Sequence, residues 1–547
     1  MSTEINRRQR VYGYGVAGLA VVTGLFLGLP GSAALAAPAA VGVSAGPITV
    51  ANRRQLFIDQ RFLPEARGVE LRVHKPIKTG EMTIKPERPW EQGGIGPYSS
   101  VSHDDAGYHM WYHTMTTVQW HTGEGRGCIC YATSKDGIHW ERPDLGVAEF
   151  DGSKQNNIVM GFGAAGLKLG QDGGMVFRDP TAPADQKYRM PIRAADLGEG
   201  IHIFSSGDGI HWRLTHKSAI TARSQAKGHH LDSQNVVFYD ERLGKYVAYL
   251  RRNVSDPGSQ GRSIARGESA TLDGFSVVQD LPVVLGPDRE DLFHGQTQVV
   301  DYYMSAAIRY PWADDAYFMF PTAYYHYIGG GVLPEFKNEI PTNAGPLDTR
   351  FAASRDGIKW ERFDREPFVP LGMKGEFDWA STRTIWGIVP DVTGRYMYLY
   401  YRGSDWLHGW DRDERNKRLL TEAGLGASQN IAVLSRLVLR RDGFVSVHGA
   451  YAGGEFTTPP LVFTGGRLLI NVDTSAAGIV RVGLLDGEGR SVPGFGVDEC
   501  DMIHTTNDVN RLVSWHGRSD VKDLANKPVR LRFVLRDADL YAFQFAD

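Results

Sequence analysis

Apolar and polar positions alternate in short runs along most of this chain, the period-two pattern of β-strands. No long stretch carries the periodicity of an amphipathic helix. Aromatic-rich runs such as Tyr108-His-Met-Trp-Tyr112, Tyr246-Val-Ala-Tyr-Leu250, Tyr317-Phe-Met-Phe320 and Tyr396-Met-Tyr-Leu-Tyr400 recur at wide spacing. Each belongs to a pair of apolar runs joined by a polar tip. Five such pairs occur, over residues 100–112, 175–191, 235–251, 305–320 and 383–401, with tips that carry Asp104, Asp179, Asp240, Asp314 and Asp391.

A turn motif follows the pairs. Three copies stand out: Ser134-Lys-Asp136-Gly137-Ile138-His139-Trp140, Ser206-Gly-Asp208-Gly209-Ile210-His211-Trp212 and Ser354-Arg-Asp356-Gly357-Ile358-Lys359-Trp360. Degenerate copies, Asp273-Gly274-Phe275 and Asp442-Gly443-Phe444, complete five. Asp-Gly supplies the positive-φ residue of a tight hairpin turn, and the aromatic beyond it is expected to return between adjacent sheets. Strand, tip, strand, outer strand, turn and final strand make about four strands per unit. Units roughly 60–85 residues apart predict a five-bladed β-propeller with decorated loops over 51–445. A solenoid or sandwich of the same strand count is the alternative. From Gly454 onward, runs such as Leu468-Leu-Ile-Asn-Val472 and Val529-Arg-Leu-Arg-Phe-Val-Leu535 are divided by Gly and Asp turns, which predicts a β-sandwich over 446–547. The expected fold class is all-β: a five-bladed β-propeller followed by a C-terminal β-sandwich.

The N-terminus reads differently. Arg7, Arg8 and Arg10 precede an apolar stretch over 16–29, and Ala34-Leu35-Ala36 has the form of a cleavage site. Residues 1–36 are therefore read as a signal peptide and 37–50 as a linker. The stretch falls short of the about 20 residues of a membrane span. A secreted or cell-envelope protein is expected, with Arg7-Arg8 loosely matching a twin-arginine signal and no integral membrane domain after cleavage. Sixty basic against 63 acidic residues leave no footprint for nucleic acid. The three cysteines, Cys128, Cys130 and Cys500, have neither disulfide-framework nor metal-site spacing. No phosphate-binding loop, dinucleotide fingerprint, nucleophile elbow or zinc-protease motif is present, so neither metal nor cofactor is expected.

In a small propeller the first residues of the innermost strands meet at one axial mouth, so the repeat indicates which acids can converge. Asp301 and Asp378 each lie thirteen residues before a tip aspartate, Asp232 eight, Asp172 seven and Glu91 thirteen. Glycosidic cleavage needs two carboxyl groups of opposite protonation, and mutual repulsion among converging acids separates their pKa values. Asp232, Asp301 and Asp378 are the catalytic candidates. Glu91, Asp172, His230, Arg251, Tyr324, Trp379 and Arg383 are the candidates for holding substrate, as hydrogen-bonding, charged or stacking groups.

Leu56-Phe57-Ile58-Asp59, the Asp-Gly-Ile-His-Trp turns and the trailing sandwich resemble the five-bladed glycoside hydrolases of the invertase, levansucrase and arabinanase-like families, numbered 32, 68 and 43. The resemblance implies three inner-strand acids acting as nucleophile or base, transition-state stabiliser and proton donor. Arg178-Asp179-Pro180 matches the family 32 Arg-Asp-Pro motif, yet the internal repeat aligns Asp179 with the blade tips. The expected function is a secreted glycoside hydrolase acting on an oligo- or polysaccharide, furanosides such as arabinan or fructan included. A non-catalytic carbohydrate-binding propeller and a glycoside phosphorylase are the alternatives.

Overall fold

The computed structural model describes residues 46–547 except 118–126, 168–170, 173, 224–230, 257–258, 292–299, 327–343 and 411–413. The expected signal peptide and linker up to residue 45 lie outside the described residues.

Five blades are present, as the repeat predicts. The first pairs Ser100–Asp104, Gly107–Met115, Gly127–Ser134 and Ile158–Met160 in order. In the second, Gln171–Asp172 and Phe177–Arg178 both pair with Tyr188–Ala194, followed by Ile201–Ser206 and Arg213–Ile220. The third runs Val236–Asp240, Lys245–Asp256, Ser259–Ser269 and Val283–Leu285. Bends split the fourth blade's strands into Val300–Tyr302 with Ile308–Arg309, Tyr317–Met319 with Thr322–Tyr325, and Leu347–Thr349 with Ala352–Ser354. The fifth uses Ser381–Thr384, Tyr396–Ser404 and Ala432–Arg440, and its outermost strand is Ile77–Lys78 from near the chain's start. That pairing closes the ring with the two ends of the propeller segment.

Inner strands are stitched together around the axis. Gln234 of the third blade donates to the carbonyls of Ser99 and Gly174, in front of the first and second blades. Trp386 of the fifth donates its indole N–H to Ala307 of the fourth, and its backbone N–H to Ser99. The turn repeat acts between blades as well. The carbonyl of Gly209 in the second blade accepts from the Trp111 indole of the first, and that of Gly357 in the fourth accepts from the Tyr249 hydroxyl of the third. Gly137 of the first blade accepts likewise from Tyr400 of the fifth. These glycines combine positive φ with close approach: a Cβ on Gly209 would sit 2.6 Å from Trp111. The tips repeat the device in the other direction. Asp104, Asp179 and Asp240 each accept a hydroxyl from the next blade's Tyr188, Tyr246 and Tyr317. Asp179 is buried and also bound by Arg189, which makes it a hairpin aspartate.

The C-terminal module is built on two long strands, Arg467–Asp486 and Val529–Ala546, paired along nearly their whole length with irregularities that bend them. Its core packs Phe57, Phe456, Phe463, Trp515, Phe533, Phe543 and Phe545. The chain's first strands belong here and not to the first blade. Ile48–Ala51, Gln55–Leu56, Glu65–Arg67 and Val69–Val73 all join the same eleven-stranded sheet. Leu56 and Phe57 alternate in burial between the fifth-blade side and the sandwich core, so Leu-Phe-Ile-Asp is a joint between modules. The sheets thus divide near residue 75 instead of 51, because these strands find their partners at the C-terminal end.

Candidate functional site

The long hairpin of the third blade sets up the site. The inner strand Val236–Asp240 matches only the first part of Lys245–Asp256, and the hairpin with Ser259–Ser269 continues past it. This extension carries Arg251 and Arg262 towards the fourth blade. There Asp301 and Tyr303 alternate onto one face, and Asp301 lies opposite Tyr324 in register. Arg383 of the fifth blade's inner strand arrives from the other side. Three guanidinium carbons consequently surround one ring: those of Arg262, Arg251 and Arg383 lie 4.9, 5.4 and 5.7 Å from the centre of Tyr303. Tyr98 belongs to the same buried group, and His408 packs 4.8 Å from Tyr324 and 5.5 Å from Tyr303, centre to centre.

Asp301 is the most tightly held acid of this group. It accepts from the His326 ring nitrogen at 2.7 Å, from the Arg262 backbone N–H at 2.6 Å and from the Arg262 guanidinium. Gly261 permits this approach, since a Cβ there would stand 2.3 Å from the carboxylate. Burial pushes the Asp301 carboxyl up, but His326 and Arg262 together outweigh it and hold the pKa at about 2. The group stays ionised through the physiological range. Because the folded value lies below the usual unfolded value of about 3.9, Asp301 contributes stability above that pH and loses it as pH falls towards 2. The difference is worth roughly 2–3 kcal/mol. Unfolding midpoints measured over a pH series should therefore decline less steeply between about pH 4 and 2 in Asp301→Asn than in the unsubstituted protein.

Asp232, which precedes the third blade's inner strand, is bound by Arg193 at 3.1 Å and lies 3.7 Å from Arg251. Arg251 also donates to the Asp232 carbonyl. Asp232 and Asp301 are thus joined through a frame of arginines. His408 is half-buried, and desolvation together with Arg383 and Arg262 pushes its pKa well below the ordinary histidine value, so its ring is neutral.

Of the sequence candidates, Asp232, Asp301, Arg251, Tyr324 and Arg383 come together here. Asp378 does not join them. It bonds Lys78 at 2.8 Å and the Tyr401 hydroxyl at 2.7 Å, and a Cβ on Gly403 would meet its own at 2.7 Å. Gly403 is the register partner of Thr382, which points away from the face that carries Arg383. Glu91 is fully buried and accepts from Arg142, the Tyr112 hydroxyl and the N–H groups of Glu87 and Arg88, a scaffold for the first blade. Trp379 packs in a separate cluster with Trp406, Trp410 and Leu420. Asp172 lies opposite Arg193 in its strand pair, with only its backbone described. His230 falls outside the described residues.

Arg262, Tyr303, His326 and His408 are site residues that the repeat did not indicate. Alternation from Asp301 would have placed Tyr303 on its face; the others depend on a hairpin extension and loops that no blade shares. Among the described residues, no group of three or more His, Cys, Asp or Glu could hold a metal ion. No described helix is long and apolar enough to cross a membrane. A cleft of about 460 Å³ lies elsewhere, lined by Arg53, Arg61, Arg242, Arg309, Asp314 and Asp315, and shares no residue with this site.

No protein-family model and no curated protein matches the chain. Solved structures do, with low identity. One titled a glycoside hydrolase is 12% identical, with 66% of this chain and 92% of that chain covered and a TM-score of 0.44. A thermostable family-43 glycoside hydrolase is 12% identical, covering 65% and 93%, at a TM-score of 0.41. A structure titled for the GH130 family of mannoside phosphorylases and glycoside hydrolases is 14% identical, covering 71% and 96%, at 0.39.

Proposed function

We propose that this protein is an exported carbohydrate-active enzyme that cleaves glycosidic bonds at the axial site around Tyr303. The observation that carries the reading is the meeting of Asp232 and Asp301, from two blades, in one arginine frame beside Tyr303 and Tyr324. Cleavage of a glycoside passes through an oxocarbenium-like state that an ionised carboxylate stabilises, and Asp301 is held in that form. Asp232 is the second carboxyl of the pair. Tyrosine rings supply the apolar faces and hydroxyls that sugars bind. Export rests on the Arg7-Arg8-Arg10, apolar and Ala34-Leu35-Ala36 pattern.

The test is product release from a panel of oligo- and polysaccharides. Asp301→Asn and Asp232→Asn are each expected to lower kcat by roughly a thousandfold. Asp378→Asn is expected to keep turnover per folded molecule, because its partners are Lys78 and Tyr401. Full activity in both Asp301→Asn and Asp232→Asn would overturn the reading. A binding propeller without turnover is the second reading. The double pairing of Asp301 with Arg262 and His326 favours it, since both partners oppose attack by that carboxylate. Sugar binding without product across the panel would establish it.

A further inference from the structure

We propose that the axial site takes an acidic saccharide, and that Arg383 is the receptor for its carboxylate. The inference rests on the functional reading above and specifies its substrate class. Arg383 is 6% exposed and pairs with no carboxylate among the described residues. Its hydrogen bond within them runs from Nε to the Ser381 hydroxyl, its guanidinium carbon lies 5.7 Å from the centre of the Tyr303 ring, and its two terminal nitrogens donate to no described group. A largely desolvated guanidinium without a counter-ion is costly, and an anion placed against it relieves that cost. Its neighbours deepen the deficit. The carboxylate of Asp301 is already shared by Arg262 and His326, and that of Asp232 by Arg193 and Arg251. Arg262 Nε is itself buried with no hydrogen-bond partner.

Charge counting points to an anion. Among the described residues the buried arginines Arg251, Arg262, Arg383 and Arg402 stand against Asp301 and the more exposed Asp232, which leaves the site positive. The pKa of His408 is pushed down by the same field, after burial, with Arg383 first among the charges. A guanidinium whose Nε is already engaged offers its two terminal N–H groups side by side, the geometry that grips a planar carboxylate. The carboxylate of a hexuronic acid matches this fork, with its ring set beside the accessible edge of Tyr303. A uronic acid residue is therefore the expected occupant, and free phosphate with a neutral sugar is the competing source of an oxyanion.

Calorimetric titration of the full chain with oligogalacturonate, a glucuronate-terminated disaccharide, their neutral galactose and glucose counterparts, and inorganic phosphate tests this. One acidic probe is expected to bind about tenfold or more tightly than its neutral counterpart, with the preference falling as salt is raised. Arg383→Met is expected to abolish the preference while leaving the melting temperature of the unliganded protein unchanged or higher, which a merely structural arginine would not do. Arg383→Lys, which keeps the charge and the bulk, is expected to retain part of it. Equal affinity for acidic and neutral probes, or a preference that survives in Arg383→Met, would sink the proposal. So would Asp301-dependent turnover of neutral saccharides that requires phosphate. Asp301-dependent turnover of neutral saccharides without phosphate and without acidic preference would remove this inference alone, and no binding of any saccharide would remove the functional reading with it.

Discussion

Asp442→Ala is expected to destabilise the protein by roughly 3–5 kcal/mol, the cost of leaving a buried ionic partner uncompensated. Asp442 sits in the degenerate fifth turn, where Arg54 from the N-terminal strands donates to it at 2.5 Å in a pair that is nearly free of solvent. Its second oxygen accepts the Tyr310 hydroxyl of the fourth blade at 2.8 Å, and Asn471 of the sandwich adds a third donor. Arg54 goes on to Asn510 and the Val509 carbonyl. One carboxylate therefore ties the chain start, two blades and the C-terminal module. Its backbone φ of +61° adds strain for alanine that asparagine escapes. Denaturant midpoints should fall furthest for Asp442→Ala and less for Asp442→Asn. Arg54→Met combined with Asp442→Asn should cost less than the two singly, because each single change already breaks the shared network. A loss below about 1 kcal/mol for Asp442→Ala would show that the modules hold together by apolar packing alone.

That network marks the limit of what the repeat revealed. The blades were legible because their stabilising contacts recur: a turn glycine accepts from the neighbouring blade's aromatic, and a tip aspartate accepts from the next blade's tyrosine. Repetition writes those contacts into the sequence at fixed offsets. Asp442-Gly443 looked like a weakened copy of the turn, yet its aspartate had been turned to another use, and only the three-dimensional pairing of residues nearly four hundred positions apart shows it. The same holds for the strands over 48–73. Their partners lie at the opposite end of the chain, and nothing local distinguishes a first blade strand from a sandwich strand.

The site was legible in part for a related reason. Offsets from the tips located Asp232 and Asp301, which do face the same frame, but they cannot say which face of a blade a residue takes. Asp378 has the same offset as Asp301 and ends on the opposite face, bonded to Lys78 of the ring-closing strand. Glu91 shares it too and became a buried anchor for the first blade. Arg251 and Arg383 were found as charged residues near the acids, whereas Arg262 depends on how far the third blade's hairpin extends beyond its inner strand. Electrostatic compensation is the information missing from the pattern. The sequence contains nearly equal numbers of acids and bases, and the structure concentrates arginines where the repeat alone pointed to acids.

Asp405→Ala is expected to lower stability by roughly 3 kcal/mol and to weaken saccharide binding at the same time. Asp405 is fully buried just beyond the fifth blade's second strand. Its carboxylate accepts the backbone N–H groups of Ser428, Gln429, Asn430 and Ile431 and the Ser428 hydroxyl. This closes the excursion that leaves the blade at Asp405 and returns to it at Ala432, with the helix Glu414–Glu422 between. His408 rides on that excursion and is fixed by reciprocal backbone bonds with Gly345. Loss of the carboxylate strands four N–H groups and frees the closure, so His408 loses its register against Tyr303 and Tyr324. Asp405→Asn keeps one acceptor oxygen and should recover about half of the stability. The two readouts separate the roles: denaturant midpoints report the closure, and calorimetric affinity for saccharide, measured well below the unfolding transition, reports His408. An Asp405→Ala protein that is destabilised yet binds saccharide with unchanged affinity would place His408 outside the recognition surface.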